Sequence, residues 1–124
     1  MEKQLMNRIE YEEKSAALTQ EINRIEWLEE DFLSLKRRHE ERVLDLQSEF
    51  HHLSLEVESL LYHVPEETPS KHIDLQKNGD LKWQIDHYVS EHLDQLSHHA
   101  SQVRHQLDDE REERIRERNR LTWE

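Results

Sequence analysis

Residues 65–79, with the sequence PEETPSKHIDLQKNG, contain both prolines and the only glycine of this 124-residue chain. Proline cannot donate the backbone hydrogen bond that a helix interior requires, and glycine is a poor helix former. No such helix breaker occurs before this stretch or after it. The sequence therefore predicts two long helices joined by one connector.

The connector has recognisable boundaries. Pro65 ends the first helix, Asn78-Gly79 can form a turn with positive φ, and Asp80 is suited to cap the second helix. Thr68-Pro69 favours a short helix inside the connector, and a solvated loop is the alternative. Within a single domain we expect the first long helix over residues 1–64, the connector over 65–80 with its short helix near 69–77, and a second helix with a charged C-terminal tail over 81–124.

Both long helices carry apolar residues at alternating spacings of three and four, which is the spacing of a coiled-coil seam. The predicted fold is therefore all-α, an elongated antiparallel helical hairpin of coiled-coil type. We expect these seam residues to hold the hairpin together: Leu46, Phe50, Leu53, Val57, Leu60 and Val64 in the first helix, and Val89, Leu93, Leu96, Val103 and Leu107 in the second.

Further apolar residues lie beside this seam and make the apolar stripe wider than one partner helix can cover. We expect these residues to bind helices of other molecules, which complete the hairpin into a bundle. The predicted partner-binding residues are Trp27, Leu28, Leu44, Leu55, Leu61 and Trp83.

The composition excludes several classes of function. The formal net charge is -12, and this charge repels nucleic-acid phosphates and anionic lipid surfaces alike. No apolar run approaches the roughly 20 residues of a membrane span, so we expect no membrane insertion. The sequence starts without a secretory signal pattern. We expect a cytoplasmic protein, with export alongside a partner left open.

The sequence contains no pattern typical of a catalytic or cofactor site, so we expect no enzyme activity, no catalytic residue and no cofactor. Four of the ten histidines form heptad-spaced pairs, His98 with His105 and His92 with His99. A metal site needs three or four converging ligands, and these pairs each lie on a single helix. We therefore predict no metal site. A response of solubility to pH is the alternative role for the histidines.

Two charged stretches support a resemblance to a known family. They are residues 25–38, IEWLEEDFLSLKRR, and residues 109–121, DEREERIRERNRL. With the helix-loop-helix layout between them, the chain resembles the small α-helical accessory proteins that accompany LXG-domain toxins of the Gram-positive type VII secretion system, in their second, uncharacterised class. The resemblance covers nearly the whole length.

This resemblance implies a targeting chaperone. Such a protein binds the helical N-terminal domain of an LXG toxin beside a second small helical protein and helps to target the toxin for export. The alternative is a self-assembling structural protein, in which two hairpins form a homodimeric four-helix bundle.

Overall fold

The computed structural model describes residues 5–123. The fold is all-α, with two long helices, α1 (Arg8–Tyr62) and α2 (Lys71–Arg120), packed as an antiparallel hairpin. Two short strands, β1 (Leu5–Met6) and β2 (Thr122–Trp123), pair in parallel. The predicted all-α hairpin is confirmed. Residues 1–4 of the predicted first helix and residue 124 of the predicted tail lie outside the described residues.

An asparagine cap fixes the start of α1. The side-chain Oδ1 of Asn7 accepts a hydrogen bond of 2.8 Å from the backbone amide of Glu10. The carbonyl of Asn7 accepts the first helical bond, from the amide of Tyr11. Asparagine is among the best residues at this position, because its side chain satisfies an amide that has no partner inside the helix.

After the end of α1, the backbone forms tighter turns before Pro65, with hydrogen bonds that span three residues instead of four. The amides of His63 and Val64 bond to carbonyls three residues back, at 3.2 and 3.1 Å. Proline disfavours the helical conformation of the residue before it, so the helix cannot continue through Val64. The carbonyl of Pro65 then accepts a hydrogen bond from the amide of Thr68, which forms the turn between the helices.

The connector is tied to the start of α2 by an ion pair. Lys71 is buried, with 4% of its side chain exposed, and its Nζ donates to Oε1 of Glu66 at 2.9 Å. A buried ammonium group needs such a partner. The hydrogen bond and the charge of Lys71 lower the pKa of Glu66 below its ordinary value.

The second helix begins earlier than the sequence predicted. α2 starts at Lys71 and passes without interruption through Asn78, Gly79 and Asp80, where we expected a turn and a cap. Gly79 has no positive φ. The physical reason is a tertiary contact, because Asn78 remains helical in α2 while its side chain donates a hydrogen bond to α1. The single glycine lowers the stability of the helix by only about 1 kcal/mol relative to alanine. The predicted connector of 65–80 is thus shortened to 63–70.

The contacts of the chain group into two compact units. Unit 1 comprises Met1–Leu35 with His98–Glu124, and unit 2 comprises Lys36–Ser97. In unit 1, Ile22, Ile25 and Ala100 are buried between the two helices. Charged pairs flank this core: Arg114 donates to Glu21 at 2.8 Å, and Arg104 donates to Glu29 at 3.4 Å.

Candidate partner-binding faces

In unit 2, the side of α1 that faces α2 contains polar residues. Ser54 is buried, with only 5% exposed, and Gln47 and Leu61, each seven positions away from it, are half-buried. A spacing of seven residues is that of a coiled-coil seam. The seam of unit 2 therefore passes through Gln47, Ser54 and Leu61, which the apolar pattern of the sequence did not select.

The polar seam residues have partners in α2. Asn78 Nδ2 donates to the backbone carbonyl of Ser54 at 3.0 Å, and the Ser54 hydroxyl bonds to Asn78 Oδ1 at 3.3 Å. Gln47 donates to Asp86 Oδ1 at 2.9 Å, and His51 Nε2 lies 2.5 Å from the same oxygen. These pairs satisfy groups that would otherwise lose their hydrogen bonds to water on packing.

Asp86 is the one carboxylate in these polar pairs, and it accepts from two side chains of α1. The hydrogen bond from Gln47 is the largest cause that lowers the pKa of Asp86 below its ordinary value, followed by the hydrogen bond from His51. Both donors belong to α1, so the carboxylate form of Asp86 is favoured by the packing of the two helices.

A row of leucines predicted to form the seam is instead exposed to solvent. Leu46, Leu53 and Leu60, here called the leucine row, expose 64%, 58% and 70% of their surface. Val57 is also exposed, at 42%. The prediction that these four residues hold the hairpin together is wrong, because α2 packs against the neighbouring line of α1 through Ser54.

Two large apolar residues of α2 lie on the same side as the leucine row. His39 is one heptad before Leu46, so it shares the line of the leucine row on α1. His39 contacts His92 of α2, and Tyr88 stacks on His92 with ring centroids 6.0 Å apart. Tyr88 and Leu81, one heptad before it, are 65% and 47% exposed. The leucine row, Leu81 and Tyr88 together form what we call the leucine-row face.

A second apolar surface lies on the other side of the seam. His51 of α1 and Asp86 of α2 are in contact on this side. Leu44 lies on the same side of α1 because it is one heptad before His51, and Trp83 lies near Asp86 because it is one turn before it. Leu44, Leu55 and Trp83 expose 48%, 59% and 65% of their surface. We call these three residues the Trp83 face. All three are among the predicted partner-binding residues.

The other predicted partner-binding residues fall into two groups. Leu61, predicted to bind a partner, is half-buried in the seam of unit 2. Trp27 and Leu28 belong to unit 1 and are 63% and 40% exposed.

The remaining predicted seam residues differ in burial. Val89 is buried, with 5% exposed, and is among the few buried apolar residues of the described chain. The others are half-buried: Phe50, Val64, Leu93, Leu96, Val103 and Leu107.

The structure pairs histidines differently from the heptad pattern of the sequence. His39 of α1 and His92 of α2 have their Nε2 atoms 2.8 Å apart. His98 instead lies next to His99, with ring centroids at 6.1 Å. Within residues 5–123, no group of three or more histidine, cysteine or acidic side chains is arranged to hold a metal ion.

No family model, curated protein or solved structure matches the chain. The function is therefore inferred from the geometry of the described residues. Within the described part of the chain, no helix has both the length and the apolar character that a membrane crossing requires.

Proposed function

We propose that this chain is a non-enzymatic helical adaptor that binds other helical proteins through the two exposed faces of unit 2. The leucine-row face carries the proposal, because five large apolar residues are exposed there on one side of the hairpin. Exposed apolar surface of this kind in a soluble domain is typical of protein interaction sites.

The spacing of the leucine row indicates what kind of partner fits. Leu46, Leu53 and Leu60 recur every seven residues, which matches the period of an amphipathic helix packed along α1. The chain as a whole has a formal net charge of -12. A partner helix with an apolar stripe and basic flanks is therefore complementary to this surface.

The specific partners that we propose follow from the resemblance to the type VII accessory proteins. One is the helical N-terminal domain of an LXG-domain toxin, and the other is a second small helical protein. Two exposed faces, the leucine-row face and the Trp83 face, are available for two such partners. The chain then acts as a chaperone that helps to target the toxin for export.

A second candidate is a homodimeric structural bundle. The leucine row supports it because the row is symmetric about Leu53. A second copy in antiparallel orientation places Leu46 against Leu60 and Leu53 against its own equivalent, as a two-fold interface requires.

The test is capture of a tagged chain from its native cells in mild salt, with mass spectrometry of the bound proteins and the solution mass of the purified chain. We expect an LXG-domain protein and a second small helical protein in amounts comparable to the chain. Recovery of the chain alone as a monodisperse dimer contradicts the adaptor and supports the homodimeric bundle.

A further inference from the structure

Two histidines converge between the helices of unit 2. Nε2 of His39 in α1 and Nε2 of His92 in α2 are 2.8 Å apart, and the ring planes are inclined by 58°. Each neutral imidazole has one nitrogen with a free lone pair. At 2.8 Å the Nε2–H of one ring donates a hydrogen bond to Nε2 of the other. When the donor ring instead carries its proton on Nδ1, both Nε2 lone pairs are directed into the same small volume between the helices.

The histidine pair lies at an open position beside Tyr88. The ring of Tyr88 is nearly parallel to that of His92, at 10°, with the ring centroids 6.0 Å apart. His39 is exposed and His92 is half-buried, so a dissolved ion reaches the pair directly. The site lies at the edge of the seam, where a ligand joins α1 to α2.

Nearby carboxylates on each helix are engaged elsewhere. Glu40, next to His39, pairs with Lys36 at 3.0 Å. Glu91, next to His92, lies 3.1 Å from His87. The site therefore consists of two nitrogen donors without an oxygen donor from these residues, which favours metals that prefer imidazole over carboxylate.

We propose that His39 and His92 form a two-histidine site for a divalent transition metal ion of the zinc, nickel or copper class. Metal-to-nitrogen distances of about 2.0–2.1 Å place two ligands of a tetrahedral ion about 3.3 Å apart. The two Nε2 atoms thus need to separate by only about half an ångström. Water completes the coordination sphere, because the described residues offer no third ligand.

This site differs from the histidine pairs suggested by heptad spacing, since its ligands come from both helices. A bound ion links α1 to α2 and binds the folded hairpin more tightly than the unfolded chain. By mass action, it therefore raises the melting temperature. The inference is independent of the proposed adaptor function, because it needs no partner protein.

The test is thermal unfolding of the full chain at pH 7.5, after treatment with a chelator, with added Ni²⁺ or Zn²⁺ and with Mg²⁺ as the control ion. We expect Ni²⁺ or Zn²⁺ at saturation to raise the melting temperature by about 4 °C or more, and Mg²⁺ to leave it unchanged. The variants His39→Gln and His92→Gln should each lose this shift.

His52→Gln is the matched control, since His52 is an exposed histidine of α1 outside the pair. We expect this variant to keep the full shift. The copper form adds a readout that does not depend on stability, because electron paramagnetic resonance of Cu²⁺ shows splitting from two nitrogen ligands only while the pair is intact. An equal shift in His39→Gln and in the unaltered chain, or no shift in either, overturns the proposal.

Discussion

Asn78 of α2 donates a hydrogen bond from Nδ2 to the backbone carbonyl of Ser54 in α1, at a distance of 3.0 Å. This bond lies in the middle of the seam of unit 2, where Ser54 is buried. One position away, Leu53 is 58% exposed. Polar groups therefore hold the two helices together at this point, while apolar groups face outward beside them.

Replacement of Asn78 by alanine tests this polar seam. The change leaves Ser54 without its partner, at a cost of about 1 kcal/mol or more, and this loss outweighs the higher helix propensity of alanine. Asn23→Ala is the matched control, because Asn23 is exposed in the interior of α1. In urea unfolding, Asn78→Ala should be destabilised and Asn23→Ala slightly stabilised. Equal effects of the two changes contradict a seam at Ser54.

Gly79→Ala should stabilise the chain by about 0.5–1 kcal/mol. Gly79 lies inside α2 without a positive φ, and a Cβ atom added there meets no atom within 4 Å. Alanine gains helix propensity and lowers the entropy of the unfolded chain. A urea midpoint below that of the unaltered chain would instead indicate the turn that the Asn78-Gly79 sequence suggests.

The stability of unit 2 should fall in acid through Asp86. Its pKa is lowered in the folded chain from an ordinary value of 3.8 by Gln47 and His51. A carboxyl group whose pKa is lowered on folding stabilises the folded chain at a pH above its ordinary pKa. This stabilisation is lost as the pH falls through the pKa of the folded state. Urea midpoints at pH 5.5 and pH 3 measure the loss. The loss should be smaller in Asp86→Asn than in Asp94→Asn, whose carboxyl is exposed; equal losses would be inconsistent with this role.

Much of the fold could be predicted from the sequence, because helix breakers occur in one place only. α1 ends at Tyr62, two residues before the end predicted from Pro65, and the absence of glycine and proline elsewhere predicts the two long helices. The start of α2 could not be placed, since Asn78-Gly79 resembles a turn. Its helical conformation depends on a hydrogen bond to Ser54, a residue that is distant in the sequence.

The orientation of α1 in the hairpin could not be predicted for a related reason. Val57 and the leucine row form one broad apolar stripe with Phe50, and spacing alone does not show which edge of the stripe meets α2. The polar line of Gln47 and Ser54 acquires its partners only when Asp86 and Asn78 are brought opposite to it. A search for complementary polar residues at mirrored spacing in the two helices is the signal that could have found this seam.

Substitution of Leu53 by aspartate should leave the folded hairpin intact. Leu53 is 58% exposed, so its side chain contributes little to the packing of α1 on α2. Val89, with 5% exposed, is the contrasting position. We expect Val89→Asp to lower the melting temperature by 10 °C or more, on the order of the effect of an unpaired buried charge, and Leu53→Asp to change it little. Comparable losses of helicity in circular dichroism would place Leu53 in the core.

The proposed adaptor function requires the exposed faces of unit 2 to bind helical partners. Leu53 and Leu55 suit a paired test, because they are two positions apart in α1, expose 58% and 59% of their surface, and point to opposite sides of the helix. The decisive measurement is quantitative capture of partners from native cells by Leu53→Asp, Leu55→Asp and the unaltered chain. We predict that each variant remains helical and loses a different one of the two proposed partners. Capture of both partners by both variants, at the level of the unaltered chain, would contradict binding through these two faces.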